Sequence, residues 1–279
     1  MSNEEKRAKV IAFTFQKGGF GKTTISVNLA SILAWKGYSV LLVDGDRHCT
    51  ASHFLNVHDE TKYGIYDVIT GRCSFDDAIQ MVSFERAEGS PKRKDYDGFE
   101  MYAVPSYDNL GKSEEDIKER ADWQLVLRKA INQSNAISHF DYIIIDCPPE
   151  SDIFLPVMYN AAEYFVFPVF PESHALDNMS ITYEQLYILS NPSFPKTVLG
   201  CVINNYKKTE ISDFFVSELK SLDYARFFNT VIPRYEGCNV LNVLHTPIIT
   251  YYKELQRAKK FFNSFESFAN EIILATTQD

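Results

Sequence analysis

Residues 15–24 read FQKGGFGKTT, three glycines interleaved with two lysines and two threonines. Small residues in such a run let backbone N–H groups wrap an anion, and a helix starting just after them adds its own unpaired N–H groups. In that arrangement Gly18, Gly19 and Gly21, with Phe20 between them, line a phosphate cradle. Lys22 neutralises β/γ-phosphate charge, Thr23 offers a hydroxyl to Mg2+, and Thr24 begins the helix. The spacing departs from G-x-x-x-x-G-K-S/T. Gln16 stands where the first glycine belongs, and a second lysine, Lys17, follows it.

Three aspartates could complete such a site. The segment VLLVDGD ends in Asp44 and Asp46, and YIIIDCPP carries Asp146. Each follows an apolar run of strand character. In open α/β sheets ligands gather at the carboxyl ends of strands, so all three acids should meet the phosphate loop. A strand-end aspartate there is expected to hold Mg2+, often through water. An aspartate at such a position is also a common turn former or helix cap, a reading that stays open above all for Asp44.

The elements that must position these groups alternate along the chain. Strands are predicted over 10–15, 40–43, 99–105, 142–146, 164–168, 198–203 and 230–232. Helices are predicted over 24–35, 114–136, near 173–190, 210–221 and 253–275, with short helical pieces at 66–69 and 76–81. Alternation of this kind predicts an α/β fold, a doubly wound and mostly parallel sheet with helices on both faces. The polar segment 85–98, ERAEGSPKRKDYDG, reads as a surface loop. Neither an internal repeat nor a linker breaks the pattern.

Bulk composition narrows the class. The chain has 279 residues, 45% hydrophobic and 23% charged, with a net charge of −9. That balance disfavours a uniformly basic nucleic-acid binder but leaves room for a local basic patch. The five cysteines contain no C-x-x-C pair, which reads as reduced thiols in the cytoplasm. The charged N-terminus MSNEEKRAKV lacks the apolar core of a secretory signal.

The motifs resemble a known family. KGGFGKTT matches the deviant Walker A motif K-G-G-x-G-K-S/T-T of the ParA/MinD ATPases, LLVDGD resembles their second motif, and YIIIDCPP their Walker B. FPVFPESHALDNM, INNY and TVIPR resemble later segments of the ParA branch. The resemblance runs from about Val10 to Ile273 and implies one P-loop ATPase domain over 1–279. Because the first strand begins at Val10, no N-terminal helix-turn-helix domain is expected. It also implies ATP/ADP and Mg2+ as cofactors. Lys17 would reach the nucleotide of a second subunit across a homodimer interface, Asp46 would orient the attacking water and lie near the metal, and Asp146 would be the Mg2+-side acid. Asn204 would read the adenine edge, with Pro233 beside the base. After Asp46 the family usually continues Pro-Gln-Gly-Asn, whereas this chain runs RHCTAS. That departure puts the hydrolysis rate in question; His48 could be a supporting polar group or an exposed turn residue.

Within the family, members similar to MinD end in a basic amphipathic helix that lies on membrane. Here Phe261, Phe262, Phe265, Phe268, Ala269 and Ile272 recur at helical spacing and read as a core-facing helix, followed by a polar, acidic tail, so no membrane partner is expected. Members similar to ParA bind DNA without sequence preference, through lysines and arginines on one surface. Candidates are Arg257, Lys259 and Lys260, with Lys207, Lys208, Arg226, Arg234 and the PKRK run at 91–94. The resemblance thus implies a slow, partner-stimulated ATPase, cytoplasmic and nucleoid-associated with ATP, working with a centromere-binding adaptor in plasmid or chromosome partition. The alternative is a nucleotide-gated scaffold or positioning ATPase, for a protein assembly or at a membrane surface, with little hydrolysis.

Overall fold

The computed structural model describes residues 7–59, 61–85, 98–107, 117–149, 153–250 and 256–277, with the side chains of 256 and 257 outside that set. The strands are β1 (Lys9–Phe13), β2 (Val40–Asp44), β3 (Gln80–Glu85), β4 (Gly98–Val104), β5 (Tyr142–Asp146), β6 (Tyr164–Val169), β7 (Thr197–Tyr206) and β8 (Phe227–Pro233). The helices are α1 (Lys22–Trp35), α2 (Thr50–Phe54), α3 (Ile65–Thr70), α4 (Val126–Gln133), α5 (Ala136–His139), α6 (Phe154–Ala161), α7 (Ala175–Leu189), α8 (Glu210–Lys220), α9 (Cys238–Val243) and α10 (Gln256–Thr277). The strands form one sheet in the order β3-β4-β2-β5-β1-β6-β7-β8. All its pairs are parallel except the edge pair β3–β4.

The central strands are apolar on both faces because helices cover both. Every residue of VLLVD and YIIID is buried, the composition expected of a parallel strand with no solvated side. Alternation divides the core. Val10, Ala12, Ile143 and Ile145 face a cluster shared with α3, α4, α6 and α7, while Ile11, Phe13 and Ile144 face α1 and α10. The aromatic stripe of α10 is core-facing, as its spacing predicts: Phe261, Phe262, Phe265, Phe268, Ala269 and Ile272 are all buried, and the helix packs on α1 and β8.

Two predicted elements are corrected. Residues 76–81 are not one helical piece. A 3-10 turn covers Asp76–Ala78, and the chain then enters β3, antiparallel to β4. Val82 and Phe84 point inward while Met81, Ser83 and Glu85 are exposed, an alternation of period two that marks a strand. The long helix expected over 114–136 is broken where it is described. A 3-10 turn at Trp123–Leu125 leads into α4, and Ser134 adopts an extended conformation that ends it. Asp76 accepts from both the backbone N and the side-chain Nδ2 of Asn135, at 3.0 and 2.9 Å, and so holds the start of α5. Helices α2, α6 and α9 were not anticipated. The segment 86–97, with most of the expected surface loop and its PKRK run, lies outside the described residues.

Candidate functional site

The chain leaves β1, passes through the glycine-rich segment and enters α1, while β2 and β5 end beside it. Gly19 and Gly21 have φ of +82° and +80°, a left-handed conformation in which a Cβ is costly. At Gly21 a Cβ would also sit 2.3 Å from the Nδ2 of Asn204. The Asn204 side chain donates to the carbonyl of Phe20 at 3.2 Å, so the end of β7 is tied to the loop. Phe20 itself is buried, its ring stacked on Phe170 and tilted against Phe15. Its backbone, not its side chain, belongs to the cradle. Gly18 lies against Pro149, the second proline of the DCPP segment.

Lys22 is buried and turned into the loop, its Nζ donating to the carbonyls of Phe15 and Lys17 at 3.3 and 3.4 Å. Burial pushes its pKa down, opposed by the charges of Asp146, Cys147 and Asp46. The loop thus encloses an ammonium beside carboxyl groups at the ends of two strands. Lys17 projects from the same loop but is exposed, 3.5 Å from a carboxylate oxygen of Glu172 and 5.5 Å above the Phe20 ring.

Thr23 and Asp146 meet directly. The threonine hydroxyl donates to Asp146 Oδ2 at 2.6 Å. The other oxygen, Oδ1, is buried with no hydrogen-bond partner. Burial raises the Asp146 pKa to about 8, with Asp44 and Asp46 adding to the rise and the Thr23 bond and Lys22 opposing it. An orphaned buried carboxylate oxygen beside a hydroxyl suits a hard cation, and Mg2+ takes one or two carboxylates while keeping waters and phosphate oxygens. Among the described residues no three His, Cys, Asp or Glu side chains gather as a larger metal cluster.

Asp44 and Asp46 play different parts. Asp44 Oδ1 accepts from the backbone N of Asp46 at 3.1 Å. Its Oδ2 accepts from Ser52 N and Ser52 Oγ at 2.8 and 2.6 Å. With both oxygens engaged in the turn and in α2, Asp44 is a turn former; burial raises its pKa to about 6 against those bonds. Ser52 Oγ accepts in turn from the backbone N of Ser106 at 2.8 Å, which links β4 to the same network. Gly45, between the two acids, has no room for a side chain. A Cβ there would lie 2.9 Å from Met158 Sδ and 3.0 Å from the carbonyl of Asp146. Asp46 is held by the residue at the departure from the family pattern. Its Oδ1 is 3.0 Å from the backbone N of His48 and 2.9 Å from His48 Nδ1. His48 is exposed and still makes this contact. The sequence alone leaves its role open; the signal in it is a place two residues after an aspartate, the geometry of an Asx turn.

Beyond the loop lies a cavity of about 330 Å3, lined among others by Gly19, Gly21, Thr24, Asn204, Pro233 and Tyr235. It brings Asn204 and Pro233 together beside the glycines. The volume is at the lower end of small-molecule sites. Arg234, also at its rim, is paired with Glu236 at 2.6 Å. Of the other basic candidates, Lys207, Lys208, Arg226, Lys259 and Lys260 are exposed. Lys259 and Lys260 line an open groove with Thr230, Asn263 and Ser264. The Arg257 side chain lies outside the described residues. No helix among the described residues is long and apolar enough to cross a membrane.

Comparison with known proteins shows the family and the fold. The AAA domain family model matches residues 8–192. The chain is 30% identical over 246 residues to the sporulation initiation inhibitor protein Soj of Bacillus subtilis, covering 87% of this chain and 91% of that protein. It is 25% identical over 267 residues to the chromosome-partitioning ATPase Soj of Treponema pallidum, covering 95% and 97%. Two solved structures share the fold. A plasmid partition protein from Borrelia burgdorferi B31 bound to AMPPNP superposes with a TM-score of 0.73 at 22% identity, over 95% of this chain and 100% of that one. Cobyrinic acid a,c-diamide synthase from Mycobacterium smegmatis with ADP and magnesium superposes with a TM-score of 0.75 at 22% identity, over 97% and 96%. The chain belongs to the AAA domain family and, within it, to the ParA/MinD-type ATPases alongside the Soj and ParA proteins.

Proposed function

We propose that this protein is a single-domain ATP-dependent switch of the ParA type, which dimerises around two nucleotides, binds DNA without sequence preference and releases it on hydrolysis stimulated by a centromere-binding adaptor. The observation that carries the reading is the meeting of Thr23 and the orphaned Asp146 oxygen beside buried Lys22, with Lys17 exposed on the same loop. Backbone N–H groups of residues 18–23 would hold the phosphates, and Asn204 and Pro233 would flank the base. Thr23 and Asp146 would hold Mg2+, which would offset the negative charge of the phosphates. Asp46 would orient the water. Lys17, free of the buried network, would contact the partner subunit's nucleotide, and two such lysines facing one another without phosphates would repel, so dimerisation would depend on nucleotide. Lys259 and Lys260 would supply DNA phosphate contacts, doubled in a dimer despite the acidic total charge.

The test is the mass in solution with ADP and with ATP, for wild type, Lys17→Ala and Asp46→Ala, followed by DNA binding of the trapped form at two salt concentrations. ATP is expected to dimerise wild type, Asp46→Ala to accumulate the dimer, and Lys17→Ala to weaken it. DNA binding is expected to follow the dimer, to fall with salt and to weaken in the Lys259→Ala/Lys260→Ala double variant. Wild type that stays monomeric with ATP, together with an inert Lys17→Ala, would refute the sandwich. A second reading, a nucleotide-gated scaffold with little hydrolysis, is favoured by the Arg47–Cys49 departure; an ATP dimer that neither hydrolyses nor binds DNA would support it.

A further inference from the structure

We infer that His48 is a positioning residue for Asp46, holding one carboxylate oxygen so that the other is presented to the attacking water. The inference rests on the reading of Asp46 given under the proposed function. Among the described residues, both hydrogen bonds to the Asp46 side chain fall on Oδ1, from the His48 backbone N at 3.0 Å and from His48 Nδ1 at 2.9 Å. Oδ2 receives neither. A carboxylate only accepts, so Nδ1 carries the proton in this contact, and the imidazole is fixed as an Nδ1–H donor.

The surrounding turn explains why a ring is needed. Segment 46–49 contains neither proline nor glycine. It closes through Cys49 N donating to the carbonyl of Asp46 at 3.0 Å, with Cys49 at φ +54° and its Sγ donating to the carbonyl of Arg47. Hydrogen bonds hold this turn, and two of them converge on Asp46 Oδ1. One backbone bond to Oδ1 still tolerates some rotation about Cβ–Cγ, because an N–H···O bond keeps much of its strength over a range of angles. A second donor on the same oxygen, arriving from the ring, restricts that rotation. The His48 side chain is 65% exposed, so packing gives it little other purpose, and among the described residues Asp46 is the hydrogen-bond partner of its ring.

The experiment compares His48→Ala, His48→Asn and His48→Gln with Asp46→Ala, all as the full chain. The amide Nδ2 of asparagine lies where Nδ1 does, whereas that of glutamine does not. Single-turnover ATP hydrolysis is expected to slow roughly tenfold in His48→Ala, the low end for loss of one hydrogen bond to a charged group because the ring is exposed. ATP affinity should be unchanged. His48→Asn should recover most of the rate and His48→Gln should not. A second readout needs no nucleotide. Imidazole nitrogen NMR of the free protein should show His48 protonated at Nδ1 in wild type, and Asp46→Ala should shift it toward the Nε2–H form of a free histidine. If Asp46→Ala blocks hydrolysis while His48→Ala hydrolyses as wild type, this inference alone fails. If Asp46→Ala leaves hydrolysis intact, the functional reading and this inference fail together. A His48 resonance indifferent to Asp46→Ala overturns the inference whatever the rates.

Discussion

The loops after β1 and β2 end at the same site, but different forces shape them. After β1 the chain turns on glycines, with φ of +82° at Gly19 and +80° at Gly21, and its groups for a ligand are mostly backbone. After β2 it turns on side-chain hydrogen bonds. Asp44 gathers the N–H of Asp46 and two donors of Ser52, and Asp46 gathers two donors of His48. A loop of the first kind tolerates no change of backbone conformation. A loop of the second kind tolerates changes of residue provided the donors and acceptors still match, and segment 46–49 holds its turn this way without a proline or a glycine.

The sharpest way to break the contrast is Gly21→Ala. The substitution places a Cβ at positive φ and 2.3 Å from the Asn204 amide, each unfavourable, with the backbone part alone on the order of 1–3 kcal/mol. ADP affinity measured by calorimetry should fall by roughly thirtyfold or more, about 2 kcal/mol, in a protein that still shows a cooperative melt. Unchanged affinity would mean that the cradle does not depend on its glycines.

The counterpart in the second loop is Ser52→Ala, which strips the hydroxyl from Asp44 and leaves the Ser106 N–H without its acceptor. Buried polar groups left unpaired cost about 1–3 kcal/mol, so chemical denaturation should show a loss of about 2 kcal/mol. Backbone conformation is unaffected by the change itself. A loss below about 0.5 kcal/mol would show that hydrogen bonds do not hold this loop.

A smaller effect concerns Asp146, on which both loops converge. Its folded pKa, raised to about 8, means that the folded chain keeps a proton there that the unfolded chain gives up near 3.8, the ordinary value for an aspartate. Its stabilising contribution is therefore complete below that value and lost as pH rises through about 8. In the nucleotide-free protein, the stability of Asp146→Asn relative to wild type should rise between pH 7 and pH 8, by on the order of 1 kcal/mol. A flat or falling difference would contradict the burial of an uncompensated carboxyl.

Much of this was legible in the chain because the carriers are short and local. The glycine–lysine run fixed the first loop, since only those residues combine positive φ with a phosphate-seeking charge. The solid apolar runs of β2 and β5 marked buried parallel strands. The misreadings arose where local pattern was weak or ambiguous. Gln80 and Met81 are compatible with a helix until β4 lies beside them, although the alternation from Met81 to Glu85 was present. The helix expected over 114–136 broke at Ser134, where Asp76, distant in sequence, supplies the bonds that start α5.

The sequence by itself determined the fold class, the glycine–lysine loop and, of the three acids expected beside it, the contact of Asp146, because each depends on residue type and near-neighbour spacing. It could not decide between the two roles open to Asp44, nor assign His48 to Asp46, nor tie Asn204 to Phe20 across the sheet. Those depend on where strands end in space and which buried oxygen is left without a donor, and packing of the whole sheet settles that. The orphaned Oδ1 of Asp146 is the clearest case. A buried polar atom is costly to leave unpaired, and only the folded chain shows that this one is.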